Sequence, residues 1–181
     1  MTKTLVIHPD DRSTDFLRPI YSNIPNVTII TKDVNLRELQ AQIMAHDQII
    51  MLGHGSPSGL FNVARIGYGG YTIGFSMVDY LRGKELIAIW CHANQFMERH
   101  QLSGLYSGMF ISEVGEANFY NIKTTQAEVD ESNDTFACVL GSQLSSQPAR
   151  QVVWEGVRAR YTDLAKSNII ADYNAHRWYC K

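Results

Sequence analysis

Two short apolar runs constrain this chain more than any other feature: Ile49-Ile50-Met51-Leu52-Gly53-His54-Gly55-Ser56 and Leu86-Ile87-Ala88-Ile89-Trp90-Cys91-His92-Ala93-Asn94. Neither alternates polar with apolar residues, which is the pattern of a parallel strand covered on both faces, not of a sheet with one wet side. Both therefore read as central strands. Parallel neighbours bring their carboxyl ends to about 5 Å of each other, so His54 and Cys91 are expected to emerge into one crevice. Open α/β sheets bind ligands at that end. A thiol and an imidazole there are the minimum set for a cysteine nucleophile with its proton handler.

The remaining segments supply the alternation such a sheet requires. Thr4 to Ile7 reads as strand one, closed by His8-Pro9 because proline cannot donate to the ladder. A helix with Phe16, Leu17, Ile20 and Tyr21 on one side follows, capped by Ser13 or Thr14 and shortened or bent at Pro19. Asn26 to Thr31 is β-branched and reads as strand two. Asn35-Leu36-Arg37-Glu38 has the form of a capping box ahead of Leu36, Leu39, Ile43 and Met44 on one helical face. Pro57 to Tyr71, with Gly59, Gly67, Gly69 and Gly70, reads as a surface loop over the crevice. Ser76 to Leu81, stopped by Gly83, is a short helix that provides the right-handed crossover to strand four.

Beyond Cys91, Asn94 is expected to cap a helix carrying Phe96, Met97 and Leu102 and ended by Gly104. Ser107 to Ile111 is the expected strand five, ending in Ser112-Glu113. Val114 to Asp130 reads as a long loop bordering the crevice, with an edge strand as the alternative over Asn118 to Thr125. Within 131–168 there are two amphipathic helices separated at Gln147-Pro148. Ser132 to Ser145 carries Phe136, Val139, Leu140 and Leu144, and Pro148 to Asn168 carries Val152, Val153, Val157, Tyr161 and Leu164. The expectation for 1–181 is a single doubly wound α/β domain, with five or six mainly parallel strands and helices on both faces.

Charge and cysteine usage narrow the function classes. A formal net charge of −2, with Lys and Arg scattered singly, offers no basic stripe for nucleic acid or anionic lipid. Three cysteines, Cys91, Cys138 and Cys180, are an odd number without CxxC or Cys/His metal spacing, so the reading is free thiols, no metal and a reducing, cytoplasmic setting. Cys138, beside Phe136 and Val139, is expected in the core. Leu5-Val6-Ile7 is too brief for a signal-peptide core. No apolar run approaches the roughly 20 residues that span a bilayer. No cofactor is expected, and the sequence carries no sign of oligomeric state.

An apolar strand ending in His-Gly, followed some tens of residues later by one ending in Cys, resembles the caspase, metacaspase and clostripain group of cysteine peptidases (clan CD). The match lies in Leu52-Gly53-His54-Gly55-Ser56 and Trp90-Cys91-His92-Ala93 and covers residues 1 to 113; beyond that the likeness is architectural. The resemblance implies a caspase-like strand order 2-1-3-4-5, with a sixth strand at the far edge, and a peptide or protein substrate. It further implies Cys91 as nucleophile, His54 as general base or acid, and the N–H groups of Gly55 and Cys91 as oxyanion donors. The positive end of the helix after Cys91 would favour thiolate. Ile89 and Trp90 stand where clostripain-like and metacaspase members carry an acidic residue that selects basic side chains. Arg12-Ser13-Thr14-Asp15 resembles the caspase segment whose arginine binds an acidic side chain, which makes Arg12 a candidate, while Glu113 and Glu116 could form an acidic pocket, with Ser112 beside them a further substrate-binding candidate. His8, at the end of strand one, could orient substrate.

Each residue also has an ordinary reading. Cys91 alone is a small apolar residue closing a strand, His54 alone a loop histidine, and His92 a packing or capping residue. Two other functions compete with a peptidase. One is a catalytically inactive caspase-like module that binds peptides or proteins in the same crevice. The other is a chelatase-type α/β enzyme, which also places His-Gly-Ser after a strand and would need His8 or Glu113 to face a metal.

Overall fold

Where both faces of a strand are buried, successive side chains are mostly apolar, and the central strands follow this rule after their first residues, Thr4, Gln48 and Glu85. In the computed structural model, which describes residues 2–32, 34–62, 70–146 and 149–181, β1 is Thr4–Ile7, β2 Val27–Ile30 and β3 Gln48–Leu52. Three short strands follow, β4 Gly55–Ser56, β5 Gly59–Phe61 and β6 Tyr71–Ile73. Then come β7 Glu85–Ile89, β8 Gly104–Ser107 and β9 Trp178–Cys180. The main sheet has six strands in the order β2-β1-β3-β7-β8-β9, and β4-β5-β6 form a separate three-stranded sheet. Pairing in the main sheet is parallel up to β8, and only β9 runs antiparallel, at the edge. The in-register pairs Leu52↔Ile89 and Ile7↔Met51 set the tips of β1, β3 and β7 side by side.

Alternate residues feed two cores. Val6, Ile50, Leu52, Ile87 and Ile89 face one side. There they meet Leu17 and Ile20 of a 3-10 helix, Arg12–Ile20, and the helices α5 (Gln126–Ser145), α6 (Arg150–Leu164) and α7 (Ile169–Ala175). Leu5, Ile7, Ile49, Met51, Leu86 and Ala88 face the other. That side is covered by α1 (Leu36–Ala45), α2 (Val78–Leu81) and α3 (Ala93–Arg99). The architecture is α/β, with a mainly parallel sheet and helices on both faces. Among the described residues no helix is long and apolar enough to cross a membrane.

Several elements depart from the sequence reading. The first helix is 3-10 and is capped by Asp11, whose carboxylate accepts from Ser13 N, so neither Ser13 nor Thr14 is the cap. The loop expected over Pro57 to Tyr71 contains β5 and the start of β6; Gly67 and Gly69 lie outside the described residues, as does the break at Gln147-Pro148. His92, not Asn94, is the residue before α3. Strand five runs from Gly104 to Ser107, not from Ser107 to Ile111. Gly104 is no helix stop: a Cβ there would sit 2.3 Å from Leu86 O, so only glycine fits this place in the ladder. Within the supposed long loop lies α4, Val114–Phe119, started by a reciprocal box between Glu113 and Glu116. Met44 and Val152 point outward at 63% and 50% exposure, and Cys138 is exposed, not core.

Candidate active site

The carboxyl tips of β3 and β7 are tied together before any reactive side chain appears. Gly53 turns the chain at φ +138°, a conformation open to glycine alone, while its N–H donates to Ile89 O at 3.1 Å. Trp90, 2% exposed, has its own N–H and C=O both held by Ser107 Oγ of β8, at 3.1 and 2.9 Å. Its indole Nε1 donates to Ser56 O at 3.1 Å, and its ring lies so close to Gly55 that a Cβ there would come within 2.2 Å of Cδ1. The bulky residue before the cysteine thus braces one strand tip against the other.

His54 and Cys91 line one narrow cleft between these tips, with Thr14, Leu17, Phe110 and Ser112 among its walls; the space it encloses is small, about 20 Å³. His54 is 30% exposed, and its Nε2 lies 2.7 Å from Ser13 Oγ and 3.9 Å from Asp11 Oδ2. Cys91 is half-buried, with Sγ 3.8 Å from Phe110 O and 3.8 Å from Glu116 Oε1. Among the described residues no hydrogen bond joins the two side chains across the cleft. Burial and then the Glu116 carboxylate push the Cys91 thiol up to about 12. The expected thiolate at the start of α3 is therefore not the resting state; a seven-residue helix does not offset a nearby carboxylate in a dry wall.

The backbone around the cleft offers two donors. Phe61 N donates to His54 O across the Gly55↔Leu60 pair, which makes that pair a non-hydrogen-bonded one and turns the Gly55 N–H away from β5. The Cys91 N–H has no partner among the described residues, whereas the next two amides bond to Gly108 O and Trp90 O. His92 adopts a left-handed conformation at φ +66° and accepts from Gln95 Nε2 at 3.2 Å, a turn residue with its side chain engaged locally.

The other candidate residues fall into place unevenly. Ser112 lines the cleft and donates both N–H and Oγ–H to Glu116 Oε2, at 2.7 and 3.2 Å. Glu113 is exposed and starts α4, with its N–H also on Glu116 Oε2. One oxygen of Glu116 is thereby held by three donors and the other faces Cys91. Arg12 is exposed and does not line the cleft. His8 is 3% exposed, with Nδ1 3.1 Å from Tyr21 OH and Nε2 3.1 Å from Thr14 Oγ1, so it presents nothing to a substrate. Among the described residues no group of three or more His, Cys, Asp or Glu side chains is arranged to hold a metal ion.

The sequence reading does not single out Asp11 and Ser13 as site residues, although the signal is there: Asp11-Arg12-Ser13, with three residues between it and strand one, is an N-cap pattern near the sheet end where ligands bind. No protein-family model matches the chain, and neither curated proteins nor solved structures gave a match.

Proposed function

We propose that this chain is a caspase-like cysteine peptidase in which Cys91 is the nucleophile and His54 its proton acceptor. The observation that carries the reading is that both leave adjacent parallel strands and line a single cleft. The strand order β2-β1-β3-β7-β8 with an antiparallel edge strand supports it, being the order the motif resemblance implies. In the reaction the Cys91 proton passes to His54 and sulfur adds to the substrate carbonyl carbon. The oxyanion is met by the Gly55 and Cys91 N–H groups. Collapse breaks the C–N bond, the amine leaves with the proton from His54, and water hydrolyses the thioester. Cys91 must first turn from Glu116 toward His54, since catalytic hydrogen bonds are often unmade in unliganded enzymes.

The test is exposure to a mixed peptide library, with new termini read by mass spectrometry. Cleavage by the wild type and its loss in both Cys91→Ala and His54→Ala is expected; cleavage surviving in Cys91→Ala overturns the assignment.

The thiol's hydrogen bonds away from His54 favour a second reading, an inactive module that binds peptides in the same cleft. It requires wild type and Cys91→Ala to bind library peptides equally, with no cleavage by either. A chelatase-type enzyme is disfavoured because His8 has both ring nitrogens engaged in the interior.

A further inference from the structure

A general base must present a bare nitrogen to the proton it takes, and an imidazole has two nitrogens from which to choose. The side chains behind His54 make that choice. Asp11 Oδ1 accepts from both Ser13 N at 3.0 Å and Ser13 Oγ–H at 2.8 Å. These two bonds hold the Asp11 carboxyl below its usual range, so it is ionised and can only accept. The single Ser13 hydroxyl proton is therefore spent on Asp11. At 2.7 Å from His54 Nε2, Ser13 Oγ can act only as acceptor, and the proton of neutral His54 must sit on Nε2. The free lone pair is left on Nδ1.

The loop that makes this arrangement is itself fixed from below. Thr14 Oγ1–H donates to Asp11 O at 2.9 Å, so Thr14 Oγ1 accepts from His8 Nε2–H, and His8 Nδ1 accepts from Tyr21 OH. Behind it, α5 approaches the 3-10 helix so closely that a Cβ on Gly141 would lie 2.2 Å from Pro19 O.

We propose that Asp11 and Ser13 are positioning residues for His54, locking its Nε2–H tautomer and ring orientation so that Nδ1 is the atom that accepts the Cys91 proton. The proposal rests on the peptidase reading only for its last clause. Ser13 is excluded as nucleophile by the same geometry: its proton is directed to Asp11, and among the described residues no carboxylate orients the far side of the imidazole, as a serine triad requires.

The test reads the two parts separately. In ¹⁵N-labelled wild type, NMR is expected to show a His54 proton on Nε2, slow to exchange. Ser13→Ala should lose that signal, and Ser13→Thr, which restores the hydroxyl, should regain it. If peptide cleavage is found, Ser13→Ala should lower kcat on the order of 100-fold, as expected for a misplaced catalytic group, with KM little changed. Asp11→Asn keeps an acceptor at the helix cap and so keeps the fold, while weakening the same lock. An unchanged His54 signal in Ser13→Ala overturns the proposal even if peptides are cleaved. The expected signals without cleavage leave the lock standing and remove the peptidase reading. Labelling of Ser13 by a fluorophosphonate would also overturn it, because that reagent marks an activated serine.

Discussion

Cys91 shares a cleft with His54, but its thiol faces the Glu116 carboxylate, which keeps it protonated. Glu116 Oε2 is immobilised by three donors, which aims Oε1 at the thiol. With the thiol pushed up to about 12, alkylation at neutral pH is slow and should quicken about tenfold per pH unit, following the thiolate fraction. Cys138 is exposed and should react first, the reverse of the order a ready nucleophile at Cys91 would give, so the measurement belongs in a Cys138→Ser, Cys180→Ser background. In that background Glu116→Gln should raise the iodoacetamide rate at Cys91 several-fold near pH 8, because it removes the second cause of the shift and leaves burial. An unchanged rate would mean Glu116 does not govern the thiol. The sequence shows Cys91 and His54 because each ends an apolar run. It hides the Glu116 contact because that depends on how α4 is placed against β7, a tertiary matter with no local pattern.

The wall that carries Ser112 and Phe110 is pinned by two buried amides. Asn174 of α7 accepts from Ile111 N and donates to Ile111 O, both at 2.8 Å, as a neighbouring strand would, and Asn133 Nδ2 donates to Ser112 O at 2.9 Å. Asn174→Leu leaves both Ile111 backbone groups unpaired in the interior. Each costs about 1–3 kcal/mol, so the urea midpoint should drop steeply, and by much more than for an exposed change such as Val152→Ala. Equal midpoints would contradict the bracing role. Gly104→Ala should also destabilise, through its clash with the Leu86 carbonyl in the ladder. The inner strands were legible because burial on both faces writes itself as an unbroken apolar run. β8 was misplaced because its glycine is there for close approach and reads locally as a stop. α4 was missed because six residues are too short for helical periodicity to register, and its signal is the Glu113–Glu116 box. α7 was missed for the same reason: its N-terminus is written in Asn168, whose side chain accepts from two amides.

At the scale of the whole molecule, the cleft and the stability of the fold share one buried histidine. His8 ties Tyr21 to Thr14, and Thr14 in turn holds the Asp11 backbone from which the support of His54 is built. Burial chiefly, with Arg18 adding to it, lowers His8 from 6.5 to about 4. Between those values the unfolded chain binds a proton that the folded one refuses, so stability rises with pH across that window and falls as the solution is acidified through it. The full difference is on the order of 3 kcal/mol, present above about pH 6.5 and gone below about pH 4. Asp11, whose carboxyl is lowered, adds a loss only as pH falls below its ordinary value of 3.8, beneath most of the His8 window. Urea midpoints at pH 7, 5.5 and 4 should therefore decline steadily for the wild type. His8→Asn keeps one donor and one acceptor without a titrating ring; it should be less stable at pH 7 and show a flatter profile. Identical slopes in the two proteins would assign the acid sensitivity to other groups. Because folded His8 stays neutral down to about pH 4, the Asp11 and Ser13 loop above it should keep its place across this window, and any peptide cleavage should be lost through His8 no earlier than the fall in stability.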